Sequence, residues 1–180
     1  EVMLLGQNVN SYGKNLEEPM TFAKLLREVN KIEGLERIRL GSLEPRIITR
    51  EFAEKLAGLP EFCPHFHLSL QSGCDATLKR MNRHYTTEDY LRRCGILREI
   101  FDHPAITTDV IAGFPGETEE EFEETRRFLE TVRFYEMHVF KYSKRQGTRA
   151  AVMEDQVSEQ VKARRSDVLL ELEKTMSREY

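Results

Sequence analysis

The stretch Ile106 to Thr118, ITTDVIAGFPGET, decides how the rest of the chain is read. Ile106 to Ala112 is short, rich in β-branched residues and bounded by turn formers, which predicts a strand buried on at least one face. Gly113, Pro115 and Gly116 end it and let backbone come close to whatever sits beyond the strand. Thr118 is suited to cap a helix, and Glu121, three positions on, completes a capping box. The TEEEF run then puts its carboxylates where the helix dipole favours negative charge. A strand passing through a glycine loop into a helix is a β/α unit, and ligand sites in such folds gather at the C-terminal ends of strands. One glycine loop alone is also compatible with a plain β/α turn, so the reading depends on what surrounds it.

Outward from that unit the pattern repeats. Strands are expected at Val2–Gly6, Arg37–Gly41, His65–Leu70, Ile106–Ala112 and Met137–Tyr142. Between them, one helix runs from about Thr21 with Phe22, Leu25, Leu26, Val29 and Ile32 as its stripe, and another spans roughly Thr49–Ala57 around Phe52 and Leu56. A third, from Thr86 or Thr87 to Phe101, puts Tyr90, Cys94, Leu97 and Phe101 on one face, which makes Cys94 a small core residue. The fourth covers Thr118–Val132. The last, about Ser158–Arg178, has Val161, Val168, Leu172 and Met176 as its seam. Such alternation defines an α/β fold, with about five parallel strands joined by right-handed crossovers in one domain over residues 1–180.

The strands carry a second message. In HFHLSLQ, Phe66, Leu68 and Leu70 share one face, while His65, His67, Ser69 and Gln71 share the other. The same split sets Ile38 and Leu40 against Arg37 and Arg39, Val110 and Ala112 against Thr107 and Asp109, and Met137 and Val139 against His138 and Tyr142. Strands of an ordinary doubly wound sheet are apolar on both faces. A polar face suits a partial (β/α) barrel whose lumen holds a ligand.

Composition limits the partners. With 39% apolar and 32% charged residues, the 180-residue chain has the make-up of a soluble globular protein, and a net charge of −4 confines any nucleic-acid contact to local patches. Cys63, Cys74 and Cys94 are too widely spaced for a CxxC metal site and odd in number for a disulfide framework. There is no apolar run of membrane-spanning length and no signal-peptide pattern, so the cytoplasm is the expected compartment. The chain starts without Met, almost inside a strand, as an excised piece of a longer protein does.

Two chemistries could use a polar lumen. His65, His67, Asp109 and His138 are ligand types for a zinc-like ion in a metal-dependent hydrolase, although each also serves as an ordinary hydrogen-bonded lumen residue. Alternatively, Gln7, Asn8 and Asn10, Ser42 and Glu44, Gln71 and Ser72, and Gly113 to Gly116 follow successive strands. They would form a ring of amide, hydroxyl and glycine groups around a large polar cofactor. Taken together, these favour the cofactor. A noncatalytic nucleotide- or RNA-binding module remains a third class.

The blocks LLGQNVNSYG, GSLEP, HFHLSLQSGCDATLKRMNRHYT, TDVIAGFPGETEEEF and MHVFKYSKRQGT, in this order from near residue 1 to about 150, resemble the radical S-adenosylmethionine methylthiotransferases. SLEP, LSLQSGC and MHVFKYSKRQGT are most similar to the branch acting on tRNA threonylcarbamoyladenosine. The resemblance implies a radical S-adenosylmethionine barrel in which a CxxxCxxC loop holds a 4Fe-4S cluster. A reductant feeds the cluster, cleavage of S-adenosylmethionine gives a 5′-deoxyadenosyl radical, and C2 of adenosine 37, in the tRNA anticodon stem-loop, receives a methylthio group. CxxxCxxC is absent here, as are a cysteine-bearing N-terminal domain and a small RNA-binding β-barrel after the last helix. The chain is therefore expected to be the barrel's later strands, inactive by itself.

Residue by residue, the resemblance implies that Gln7 and Asn8 meet the methionyl amino group. Gln71, Ser72 and Glu44 face the ribose or methionine moiety, and Arg83 pairs with the carboxylate. The Ala112 to Pro115 backbone, including Gly113, borders adenine with Phe140 and Tyr142, while Asp109 orients the cofactor or touches the substrate base. Loops after parallel strands emerge at one end of such a barrel, so Lys79, Arg80, Arg83 and His84 together with Lys141, Lys144, Arg145 and Arg149 are expected to form an RNA-facing rim.

Overall fold

The computed structural model describes residues 1–6, 9–13, 15, 16 and 20–180. All five expected strands are present: β1 (Val2–Leu4), β2 (Ile38–Leu40), β3 (His65–His67), β4 (Ala105–Ala112) and β5 (Glu136–Lys141). The helices are α1 (Phe22–Val29), α2 (Arg50–Ala57), α3 (Asp75–Arg80), α4 (Thr87–Ile100), α5 (Glu119–Val132) and α6 (Glu159–Glu179). The chain divides into two compact units, Glu1–Ser69 with Leu91–Ile106, and Leu70–Tyr90 with Thr107–Tyr180.

In the first unit, β1 and β2 pair in parallel with Val2 opposite Ile38. Beyond β2, Leu43 donates its N–H to the His67 carbonyl at 2.8 Å and accepts from the Ser69 N–H at 3.2 Å, which continues the parallel pairing. Thr21 and Thr49 cap α1 and α2 by accepting from the Lys24 and Phe52 amides, so each helix starts where a hydroxyl can take an otherwise unpaired donor. The apolar faces then meet: Phe22 stacks on Phe52 with centroids 6.3 Å apart, and Phe66 lies 5.1 Å from Phe101. Each fully buried side chain of this kind, such as Leu26, Ile38, Leu56 or Phe66, stabilises the fold by roughly 2 kcal/mol. Cys94 is fully buried on α4, as its helical spacing predicts, and burial pushes its thiol up to about 12. Ile32 departs from its expected stripe: α1 ends at Val29, and Ile32 is 57% exposed.

In the second unit, β4 and β5 run parallel from Thr107 opposite Glu136 to Ala112 opposite Lys141. Gln71 extends this pairing, donating to the Asp109 carbonyl and accepting from the Ile111 amide, both at 2.9 Å. The capping box at Thr118 and Glu121 forms as expected, with reciprocal bonds of 3.2 and 3.1 Å. Behind it, Phe122, Thr125, Leu129 and Val132 bury one face of α5. Thr107, expected on the polar face, is 2% exposed. The short helix α3 has too few turns for a readable apolar period and no side-chain cap at Cys74, so the sequence shows it only as a basic segment.

The α6 seam also differs from expectation. Its buried residues are Lys162, Arg165, Ser166, Leu169 and Met176, while Val168 is exposed. Apolar periodicity misses this face because two of its members are cations, buried against specific carboxylates and aromatic rings.

Candidate functional site

The C-terminal ends of β4 and β5 open onto a cavity of about 540 Å³ lined by Gln71, Asp109, Ile111, Phe140, Tyr142 and Arg145, among others. That volume is in the range of small-molecule sites. Parallel pairing fixes the wall, since Ile111 lies opposite Phe140 and the Tyr142 amide donates to the Ala112 carbonyl at 2.9 Å. Phe140 leaves a broad aromatic surface 53% exposed. Gln71 holds φ at 75°, a left-handed conformation that costs a non-glycine residue roughly 1–3 kcal/mol. Its two strand-type backbone bonds hold it there and put an amide side chain on the cavity wall.

Tyr142 is the best-defined polar signal. Its ring meets Phe114 edge-on at 5.4 Å, and the Lys162 ammonium stands 5.3 Å from its centroid. Its hydroxyl is buried with no hydrogen-bond partner among the described residues. A buried hydroxyl left unpaired is costly, so a ligand that reaches it gains a bond at no desolvation cost to the protein. Asp109 brings a carboxylate that accepts from or faces His138 Nδ1 at 3.2 Å.

The glycine loop follows β4 directly. Gly113, at φ 74°, donates its N–H to Glu117 Oε2 at 2.8 Å, and Pro115 is buried. Glu117 is in turn gripped by Arg165, which reaches Oε2 at 2.7 Å and the Glu117 carbonyl at 3.0 Å. Burial pushes the Glu117 carboxyl up from its ordinary value, and the Gly113 amide and Arg165 oppose that rise.

Five of the residues expected from the sequence therefore come together: Gln71, Asp109, Phe140, Tyr142 and Arg145. Gly113 and Pro115 shape the loop without lining the cavity. Ser72 is fully buried and bonded to Thr125 at 3.1 Å and to the Cys74 amide, a packing role rather than a ligand contact. Arg83 is exposed and does not line the cavity. Glu44 belongs to the first unit, where its carboxylate pairs with Arg46. Gln7 and Asn8 lie outside the described residues. Of the expected rim, Lys144, Arg145 and Arg149 are exposed after β5, and Lys79 is exposed on α3. Arg80 is committed to a paired contact with Glu121 and Thr77, so its guanidinium serves α3 and α5. Of the metal-ligand types, His65 and His67 are half-buried on β3 in the first unit.

Ile111, Thr148, Glu117, Lys162 and Arg165 were missed from the sequence. The 3–4 spacing of Lys162, Arg165 and Leu169 is the available signal for the last two, which a seam of apolar residues alone does not register.

Comparison with known proteins completes the description. The radical SAM superfamily model matches residues 1–129. The chain is 49% identical over 179 residues to tRNA-2-methylthio-N(6)-dimethylallyladenosine synthase of Acetivibrio thermocellus, covering 99% of this chain and 37% of that protein. It is 51% identical over 172 residues to the protein of that name in Caldicellulosiruptor saccharolyticus, covering 96% and 36%. Among solved structures, the Escherichia coli radical SAM enzyme coproporphyrinogen III oxidase (HemN) superposes with a TM-score of 0.68 at 22% identity, over 86% of this chain and 36% of that one. The TsrM methyltransferase of Kitasatospora setae, solved with cobalamin and a 4Fe-4S cluster, gives 0.60 at 20% identity, over 77% and 27%.

The parallel strands alternating with helices are thus those of the radical SAM class of α/β folds. The chain belongs to the radical SAM superfamily, whose cofactors are S-adenosylmethionine and a 4Fe-4S cluster. It spans little more than a third of the length of the curated relatives it matches. The residues lining the cavity fit an adenosyl group, with aromatic and apolar walls for a base and amide and carboxylate groups for its polar edges. Of the three cysteines, Cys74 and Cys94 do not fit the cluster, because both are buried and burial raises both thiols, which leaves Cys63 as a single half-buried thiol. Among the described residues, no helix is long and apolar enough to cross a membrane.

Proposed function

We propose that the protein carrying this chain is a radical S-adenosylmethionine methylthiotransferase acting on tRNA, and that the cavity beside β4 and β5 receives the adenosyl part of the cofactor. The observation that supports this most is the 49–51% identity to tRNA methylthio-dimethylallyladenosine synthases over almost the whole chain. When bound, S-adenosylmethionine and the reduced cluster supply hydrogen-atom abstraction from the substrate base. The residues of this chain bind and orient: Phe140 and Ile111 flank a planar base, Gln71 and Tyr142 offer polar partners, and the Gly113 loop holds the strand ends in place. Lys144, Arg145 and Arg149 meet tRNA phosphates beside the cavity, where their charge acts whatever the base sequence.

The substrate is adenosine 37 of the anticodon stem-loop, and a reductant feeds the cluster. The relatives compared above carry the N6-dimethylallyl name and so do not support the threonylcarbamoyl branch suggested by SLEP, LSLQSGC and MHVFKYSKRQGT. We take the dimethylallyl group as the N6 substituent. Superfamily membership favours this reading over the hydrolase alternative built on His65, His67, Asp109 and His138. The test is to express the full-length protein in a bacterium lacking its own tRNA methylthiotransferases and to analyse tRNA nucleosides by mass spectrometry. Appearance of 2-methylthio-N6-dimethylallyladenosine is expected. The threonylcarbamoyl product alone would reinstate the other branch, and neither product would overturn the function.

A further inference from the structure

We infer that Lys162 and Arg165 of α6 are positioning residues for the cofactor cavity, acting through the Gly113–Glu117 turn and Tyr142. This rests on the reading of the cavity as an adenosyl site. The feature that motivates it is the placement of two basic side chains on the buried face of a helix, each about 4% exposed. Burying cations is unfavourable without specific partners, so their contacts indicate what they hold.

Arg165 uses its fork on a single turn. One nitrogen takes both the carboxylate and the carbonyl of Glu117, at 2.7 and 3.0 Å, and the other reaches Glu119 at 3.1 Å. The guanidinium also lies 5.3 Å from the Phe122 ring centroid, against the helix that follows the turn. The same Glu117 oxygen accepts the Gly113 N–H at 2.8 Å, so Arg165, Glu117 and Gly113 form one chain of bonds ending at the residue directly after β4.

Lys162 holds the same turn by packing. A Cβ on Gly113 would stand 2.4 Å from Lys162 Cγ, so the lysine stem fills the space beside that glycine. Its ammonium pairs with Glu159 at 2.7 Å and faces the Tyr142 ring, which lines the cavity. One helix face thus sets both the backbone after β4 and the aromatic wall after β5. Neither cation lines the cavity, so both act through groups that do.

The test compares Arg165→Met, which removes the fork at similar volume, with Leu169→Ala, which removes apolar packing from the same helix face. Amide hydrogen exchange reads the turn directly. In Arg165→Met, the Gly113 amide is expected to exchange at least about tenfold faster after correction for the change at the slowest core amides, and in Leu169→Ala only in proportion to them. S-adenosylhomocysteine titrated into both variants should show weakening of roughly tenfold or more in Arg165→Met and little in Leu169→Ala. If Arg165→Met does not fold, Arg165→Lys replaces it: a point charge cannot reproduce the fork, so Gly113 exchange should again rise beyond the core change, by a smaller factor. Gly113 exchange that merely tracks the core in whichever arginine variant folds would overturn the inference. If wild-type chain binds no S-adenosyl compound, the cofactor reading fails, while the exchange comparison still decides the clamp.

Discussion

Gly113→Ala tests how tightly α6 is fitted against the loop after β4. Two costs can be separated. At φ 74°, an alanine must adopt the left-handed conformation, a penalty of roughly 1–2 kcal/mol. Its methyl would also stand 2.4 Å from Lys162 Cγ and 3.4 Å from Lys162 Cβ, near the root of a buried side chain that cannot simply swing away. Moving that stem disturbs its contact with Tyr142 and its bond to Glu159, for which roughly 1–2 kcal/mol more is expected from overpacking. The total is about 3 kcal/mol. Gly147 supplies the control, because it has φ 82° but nothing within 4 Å of an added Cβ, so Gly147→Ala carries only the conformational part. Urea denaturation of both variants beside wild type gives the difference, and Lys162→Ala combined with Gly113→Ala should recover part of it. If Gly113→Ala costs no more than Gly147→Ala, the packing of Lys162 on the loop is not what the structure shows.

Three further outcomes are expected. Anaerobic reconstitution of this chain with iron and sulfide should give no cluster absorption, because burial pushes the Cys94 thiol up to about 12 and raises Cys74 as well, leaving Cys63 alone where a cluster needs several thiolates; a stoichiometric 4Fe-4S spectrum would contradict this. Burial raises the Glu121 carboxyl, but Arg80 and the Thr118 amide outweigh it and hold the group below its ordinary value of 4.5. Its contribution to stability is therefore present above that pH and lost as pH falls through the depressed folded value, so Glu121→Gln should show a shallower acid loss of stability below about pH 4.5 in thermal melts, and parallel curves would refute the pairing. In the full-length protein, replacing Lys144 and Arg145 together with Ala should weaken tRNA binding and reduce the slope of log affinity against log salt by about two, and an unchanged slope would remove these side chains from the RNA contact.

Period and punctuation made much of the fold legible. ITTDVIAGFPGET places β4, the positive-φ Gly113 and the Thr118 cap where the structure has them, because strand, turn and capping box are local chemistry within a dozen or so residues. The alternation in HFHLSL likewise predicts which side chains are buried, since every second residue of a strand faces the same way. Sequence reading failed where burial was decided by a partner distant in the chain. Lys162 and Arg165 look like solvent-facing charges until Glu117, 48 residues before Arg165, is seen to accept the guanidinium. Arg80 was read as an RNA contact for the same reason, its partner Glu121 lying 41 residues away. In the cavity, Gln71, Asp109 and Tyr142 stand on the polar faces of the strand pattern, whereas Phe140 is implied by the family resemblance alone and Arg145 is expected on the RNA-facing rim. Ser72 was assigned with them by adjacency, yet it turns to Thr125, because the backbone leaves the strand geometry at Gln71.

The claim on which the functional account depends is that the cavity beside β4 and β5 receives an adenosyl group. Titration of isotopically labelled chain with S-adenosylhomocysteine, followed by amide chemical shifts, tests it without the cluster. The account predicts saturable shifts concentrated at Gln71, Ile111, Phe140 and Tyr142, diminished when Phe140 is replaced by Ala. Saturable shifts confined to residues away from this cavity, or no shifts at millimolar ligand, would contradict it.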